Sequence, residues 1–341
     1  MQLPLTQKSK PAAWVYAFYT VLLFFFLLTA AELTCRALGY KPYNAAPVTF
    51  ECKPKLQGEP QALLGYGLVD GDFTVTKNDT FTYYATHRNK QRITGNSNNK
   101  HSKKLVFLGC SFTYGDCLND TCTHPFILQQ MLNKAGIALQ VENRAVGGYG
   151  AAQFYLQAKE IIKDTTIETV IINYSSFQND RVTCSRIRRK AMAPNIKQLK
   201  YINTVYVPSY TILHDTLHLQ YQLMKYDFLP FQKQSALVEL IDNAYCRFEN
   251  NDSKKISLLL IQKTLDLLKA NGKNVYLAPV TGDEESVTTA KELEAKAYKI
   301  IYYGINTGEN QYNLMPADGN PNYAANKIFA TRIFETLTEK K

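Results

Sequence analysis

Apolar and polar positions along this chain fall into an alternation of strand-length and helix-length patterns. Leu105–Leu108, Leu139–Asn143, Thr169–Tyr174 and Asn274–Pro279 read as strands, and the near-continuous apolarity of the first, third and fourth predicts burial on both faces. Helical spacing fills the intervals at His124–Lys134, with Thr123 as N-cap and Pro125 in the first turn, and at Ala151–Lys163. Ile261, Leu265 and Leu268 keep the same spacing up to a stop at Gly272. Glu284–Lys299 is expected as a helix, Ile300–Gly304 as a weaker fifth strand, and Asn322–Glu335 as a closing helix with Ala325, Phe329 and Ile333 on one face. The alternation pauses over residues 181–253, a Tyr-, Leu- and Lys-rich insertion expected to be helical near Thr211–Lys225. Upstream, Phe73–Thr76 and Thr80–Tyr84 look like two short strands turned at Lys77-Asn-Asp, and the polar stretch Gly95–Lys100 marks a boundary. Strands alternating with helices predict an α/β fold, a doubly wound parallel sheet with right-handed crossovers.

Ala12 to Ala31 carries no charge. At about 1.5 Å per residue it reaches roughly the 30 Å of a hydrocarbon core, so it reads as a membrane span or uncleaved signal anchor. Lys8 and Lys10 precede it, which places the N-terminus in the cytoplasm and the remainder on the extracytoplasmic side; Arg36 and Lys41 oppose that assignment. A cleaved signal peptide is the alternative, given the small residues Thr29-Ala30-Ala31, although the run is long for an h-region of about 7 to 15 residues. The expected organisation is a cytoplasmic tip and anchor (1–35), a juxtamembrane connecting region with short strands (36–102), and one α/β domain (103–341) carrying the insertion.

Composition changes this picture little: 45% hydrophobic and 20% charged residues exclude disorder over most of the 341 positions. The net charge of +10 fits an anionic polymer, an anionic membrane surface or nucleic acid, and the apolar span makes nucleic acid the least favoured partner. A protein partner stays open. Seven cysteines suit an exported compartment but leave one unpaired in a monomer, and neither a Cys-x-x-Cys pair nor a His/Cys cluster suggests a metal site. No phosphate-binding glycine motif follows the first strand, so no cofactor is expected, and a nucleotide-binding flavodoxin-like module is the weakest reading.

The candidate chemistry lies after the strands. Leu105-Val-Phe-Leu-Gly-Cys-Ser-Phe-Thr-Tyr-Gly115 runs from a buried strand into a small-residue turn presenting Ser111, where ligands of open α/β sheets collect. A serine nucleophile also needs a base, a group to orient it and donors for an oxyanion. Asn143-Arg-Ala-Val-Gly-Gly-Tyr-Gly150 follows the second strand and Ser175-Ser-Phe-Gln-Asn-Asp180 the third. These blocks, in this order, resemble those of the SGNH (GDSL-type) hydrolases, serine esterases and O-acyl-transferring relatives, with membrane-tethered bacterial members. The resemblance implies a three-layer α/β/α sandwich of flavodoxin-like type, Ser111 as nucleophile and first oxyanion donor, and Gly148 and Asn179 as further donors. It implies ester groups of an envelope glycan or lipid as substrate. In the fourth block, Met315-Pro-Ala-Asp-Gly-Asn-Pro-Asn322, Asp318 is present while Asn320 stands where the family has its histidine base.

An asparagine amide cannot take and return a proton near neutral pH. Of the five histidines, His87, His101, His124, His214 and His218, the pair His214/His218 repeats an Asp-x-x-His spacing through Asp215, and His124 opens a helix after the nucleophile loop. The pair is expected on one helical face, with no third metal ligand. Cys110 is expected to point away from Ser111 as a buried thiol. The basic run Arg181, Arg186, Arg188, Arg189 and Lys190 would place positive charge at the mouth of the site, for an anionic substrate or as a solvated face. Two function classes therefore stand: an esterase or O-acyltransferase, and a catalytically silent domain that binds glycan or scaffolds an envelope complex.

Overall fold

A computed structural model describes residues 13–45, 49–78, 81–98, 103–193, 201–250, 252–316 and 318–339. Lys8, Lys10 and His101, Asp79 of the expected turn, Thr80 at the start of the second expected strand, and the end of the polar linker lie outside the described residues. By contacts the chain divides into two units, Pro47–Tyr226 with Glu249–Lys341, and the described part of Met1–Ala46 with Asp227–Phe248.

The larger unit is built on a nine-stranded sheet. Its parallel part runs Leu139–Asn143, Lys103–Leu108, Ile167–Tyr174, Asn274–Pro279, Lys299–Ile300, an order of 2-1-3-4-5 in the sequence of these strands. That is the order of flavodoxin-like doubly wound sheets, with the switch point beside the first strand. Alternate side chains of each strand enter two separate cores. Val106, Leu108, Val170, Ile172, Val275 and Leu277 pack with the helices Ala151–Ile161, Ser253–Ala270 and Glu284–Glu294. Leu105, Phe107, Ile171, Tyr276 and Ala278 pack on the other face with His124–Lys134 and Tyr323–Thr338. Helices on both faces of a mainly parallel sheet give the expected three layers.

Beyond Leu139–Asn143 the sheet continues antiparallel through Gln91–Arg92, Phe81–Arg88, Gly71–Lys77 and Phe50–Lys53. The segment expected to connect anchor and domain therefore supplies four strands of the same sheet. The fifth parallel strand is confined to Lys299–Ile300, shorter than Ile300–Gly304.

The insertion corrects one expectation. Thr211–Lys225 is not helical: Tyr206–Leu213 and Thr216–Leu223 form an antiparallel hairpin. Leu217, Leu219, Tyr221 and Leu223 alternate with His218, Gln220 and Gln222, a period of two that outweighs the helical reading. His214 and Asp215 turn it with φ of 47° and 57°, as a two-residue hairpin turn of the I′ kind requires. His214 and His218 thus share no helical face.

In the smaller unit, the helix Ala13–Ala37 has a mean hydropathy of 2.0 over its apolar window and is long enough to cross a membrane. Near its end, the Glu32 carboxylate accepts from the backbone N–H groups of Ala236 and Leu237, both at 2.9 Å, and from the Ser235 hydroxyl at 2.7 Å. It caps the helix Ala236–Glu249, meeting N–H groups that no turn of that helix satisfies. None of the seven cysteines forms a disulfide.

Candidate active site

At the end of the first parallel strand the chain turns through Gly109 and Cys110 into a short helix, Ser111–Tyr114. Gly109 has no room for a side chain, since a Cβ there would lie 2.1 Å from Thr113 Oγ1. Thr113 anchors the turn from beneath. Its carbonyl accepts from Asn143 Nδ2 at 3.0 Å and its hydroxyl from Asn173 Nδ2 at 2.9 Å, tying the ends of all three strands together. Asn173 also accepts from the Tyr303 hydroxyl at 2.8 Å and donates to His124 Nε2 at 3.0 Å. His124 Nδ1 in turn donates to Asn326 Oδ1 at 2.9 Å, an oxygen that also caps the His124 backbone N–H. The Thr123 hydroxyl, expected in that capping role, donates instead to the Asp120 carbonyl. Both ring nitrogens of His124 are thus committed to amides in a neutral ring, and burial pushes its pKa down to about 4. His87 is engaged likewise, Nδ1 with the Val69 carbonyl at 3.0 Å and Nε2 with the Tyr114 hydroxyl at 2.8 Å.

Ser111 opens onto a cleft of about 310 Å³ that is also lined by Tyr66, Lys77, Tyr114, Asp116, Gly147, Gly148, Arg181, Arg188 and Tyr201. The Gly147–Gly148 turn stands against the serine: a Cβ on Gly147 would lie 4.0 Å from Ser111 Cβ. Gly148 has φ of +87°, where a side chain is strained, and a Cβ on it would meet the Tyr66 hydroxyl at 2.4 Å. Tyr66 holds this turn by donating to the Gly147 carbonyl at 3.0 Å. Among the described residues, the backbone N–H groups of Ser111, Gly147 and Gly148 have no protein acceptor, and neither has the Ser111 hydroxyl a partner. Cys110 is fully buried.

The other expected site residues are placed as follows. Asn179 is buried in the turn Ser176–Arg181, accepts from the Tyr174 hydroxyl at 3.2 Å, and borders a separate depression with Asp180, Asn250 and Lys254. Asp180 fixes that turn by accepting from Asn250 Nδ2 at 2.6 Å. Phe177 of the same turn packs on Phe112 with ring centroids 5.2 Å apart, which brings the third block beside the nucleophile turn. Of the basic run, Arg181 and Arg188 line the cleft; Arg186 does not, its backbone N–H bonding Glu249 and its guanidinium lying 4.5 Å over Tyr226.

Asp318 and Asn320 lie on the short strand Asp318–Pro321, which packs against the Ser111–Tyr114 helix. Asp318 Oδ1 accepts from the Asn320 backbone N–H at 2.8 Å and from its side-chain amide, while Oδ2 is ion-paired with Lys77. Asn320 Oδ1 is buried without a hydrogen-bond partner. Lys77 also faces Asp116 at 3.9 Å. Burial works against the Lys77 charge, but Asp116, Cys117 and Asp318 more than offset it and hold its pKa above the usual lysine value. Lys77, Asp116 and Tyr66 have no counterpart among the sequence motifs: Lys77 ends a strand of the upstream region, and only the packing of the sheet brings it to the serine.

No protein-family model matches the sequence, and no curated protein matches it. Among solved structures, the chain is similar to a GDSL-like lipase from Bacteroides thetaiotaomicron, with 14% identity over 71% of this chain and 91% of that one and a TM-score of 0.40. It is similar to a psychrotrophic esterase from Pseudoalteromonas (9% identity, 70% and 98% covered, TM-score 0.41). A catalytic mutant of an acetylxylan esterase from Geobacillus stearothermophilus is also similar (12% identity, 72% and 97% covered, TM-score 0.39).

Proposed function

We propose that this chain is a membrane-anchored serine esterase or O-acyltransferase of the SGNH type, acting on ester groups of an envelope glycan or lipid from the extracytoplasmic side. The observation that carries this reading is the placement of Ser111 at the carboxyl end of the first parallel strand, at the switch point, in a cleft it shares with Gly147 and Gly148, whose backbone N–H groups have no protein acceptor among the described residues. Ser111 Oγ attacks the acyl carbon, and the carbonyl oxygen, now carrying the charge, takes hydrogen bonds from the Ser111 and Gly148 N–H groups. The departing alcohol leaves an acyl-serine. Water then releases the acid, or a second alcohol takes the acyl group.

The serine proton needs an acceptor. Neither His87 nor His124 has a free ring nitrogen, Lys77 retains its proton, and Asp116 is the one carboxylate lining the cleft among the described residues. In this reading Asp116 takes the proton and returns it to the leaving alcohol, with Lys77 balancing its charge. A silent binding domain is the second reading, favoured by Asn320 at the histidine position and by the commitment of both Asp318 oxygens.

Hydrolysis of short-chain aryl esters by the detergent-solubilised chain separates the two. Turnover lost in Ser111→Ala and lowered about 10²- to 10⁴-fold in Asp116→Asn supports the enzyme with Asp116 as base. Turnover absent from the native chain but present in Asn320→His supports the silent domain with its remaining machinery intact. Silence in every variant, with no Ser111 labelling by a fluorophosphonate, overturns the esterase reading.

A further inference from the structure

The Ser111 cleft contains more positive charge than its residues neutralise. Lys77 is matched by Asp116 and Asp318, whereas Arg181 and Arg188 line the same space and, among the described residues, neither is paired with a carboxylate. Their contacts are with uncharged groups. Arg181 Nη1 donates to the Tyr149 carbonyl at 2.7 Å and its guanidinium lies 4.8 Å over the Phe177 ring. Arg188 Nη2 donates to the Gly148 carbonyl at 3.1 Å, and its Nε is buried with no hydrogen-bond partner. Burial, and then the Arg181 charge, lower the pKa of Arg188. Two neighbouring, partly buried guanidiniums, one with an orphaned N–H, form an unfavourable arrangement that a bound anion relieves. The planar donor fork of arginine fits carboxylate and phosphate groups in particular.

The position of the pair narrows the ligand further. Arg188 Nη2 would lie 2.9 Å from a Cβ on Gly148, so an anion on Arg188 sits next to the glycine turn that lines the cleft with Ser111. We propose that the cleft takes a substrate carrying a carboxylate or phosphate close to its ester, with Arg181 and Arg188 holding that group. The inference rests on the Ser111 cleft being the substrate site. Arg188 as a strut for the glycine turn alone is the competing role, and it predicts no anion binding.

Equilibrium dialysis of the full chain in detergent against labelled inorganic phosphate and labelled glucuronate, at constant ionic strength and with glucose as the neutral control, tests this. Saturable binding of at least one anion is expected, weakened about tenfold or more by Arg181→Gln and by Arg188→Gln. If a glutamine variant fails to fold, Arg181→Lys and Arg188→Lys keep the charge but lose the fork and give the same comparison. Phosphate binding alone assigns a phosphate-bearing substrate, glucuronate binding alone a uronate-like one, and both together an unselective oxyanion site. No saturable binding, or binding indifferent to both arginines, overturns the proposal. Ser111-dependent aryl ester hydrolysis on the same preparation keeps the two readings apart: hydrolysis without anion binding removes this proposal only, and anion binding without hydrolysis removes the esterase only.

Discussion

His124 and His87 are buried as neutral rings whose nitrogens are fully used, and this has a sign in pH. Burial lowers both from an ordinary value near 6.5 to about 4, so between these limits the unfolded chain binds protons that the folded chain refuses. Stability is complete above about pH 6.5 and falls as the pH drops towards 4, by up to roughly 1.4 kcal/mol per pH unit for each histidine. Denaturant titrations at pH 7, 5.5 and 4.5 should show that decline, and His124→Gln should flatten it. Gly148→Ala forces a side chain into a left-handed backbone and onto the Tyr66 hydroxyl; it should cost about 1–3 kcal/mol and lower ester turnover at least tenfold. At this scale the sequence is legible where the chemistry is local. Ser111, Gly148, Arg181 and Arg188 belong to short blocks after strands, and the structure brings those four into one cleft. Asn173, His124 and Asn326 act as a unit across separations of 49 and 202 residues, which no local spacing records.

Elements obey the same division between local and distant causes. His124–Lys134, Leu139–Asn143 and Asn274–Pro279 have their expected limits because Pro125, Gly136, Gly272 and Pro279 punctuate them and one period runs through each. The hairpin Tyr206–Leu223 was harder to read: leucines spaced by two and by four residues satisfy a strand and a helix alike, and the positive-φ turn at His214-Asp215 decides between them. The Glu32 cap was illegible, since its partners lie more than 200 residues away. Removing it should weaken the start of Ala236–Glu249. Glu32→Ala is expected to cost about 0.5–2 kcal/mol of local stability, seen as faster amide exchange at 236–239 with the exchange of the central sheet unchanged.

The whole molecule shows why the fold was more readable than the site. The parallel order 2-1-3-4-5 follows from alternating strands and helices with right-handed crossovers, which the periodicity already implies. Nothing in periodicity says that the sheet continues antiparallel through four upstream strands, and these carry Lys77 to the cleft. A fragment beginning at Lys103 lacks Phe50, Tyr66 and Lys77 from the cleft wall and leaves the edge of Leu139–Asn143 unpaired. It should aggregate on size exclusion, whereas a chain lacking only residues 13–31 should keep its sheet signal by circular dichroism. The ion pair of Lys77 with Asp318 joins residues 241 positions apart, across most of the chain. During synthesis the Ser111 turn is therefore made long before the residue that clamps the cleft wall. A chain stalled or cut short before Asp318 carries the Ser111 hydroxyl without that clamp, so the cleft wall is complete only once residue 318 has been made.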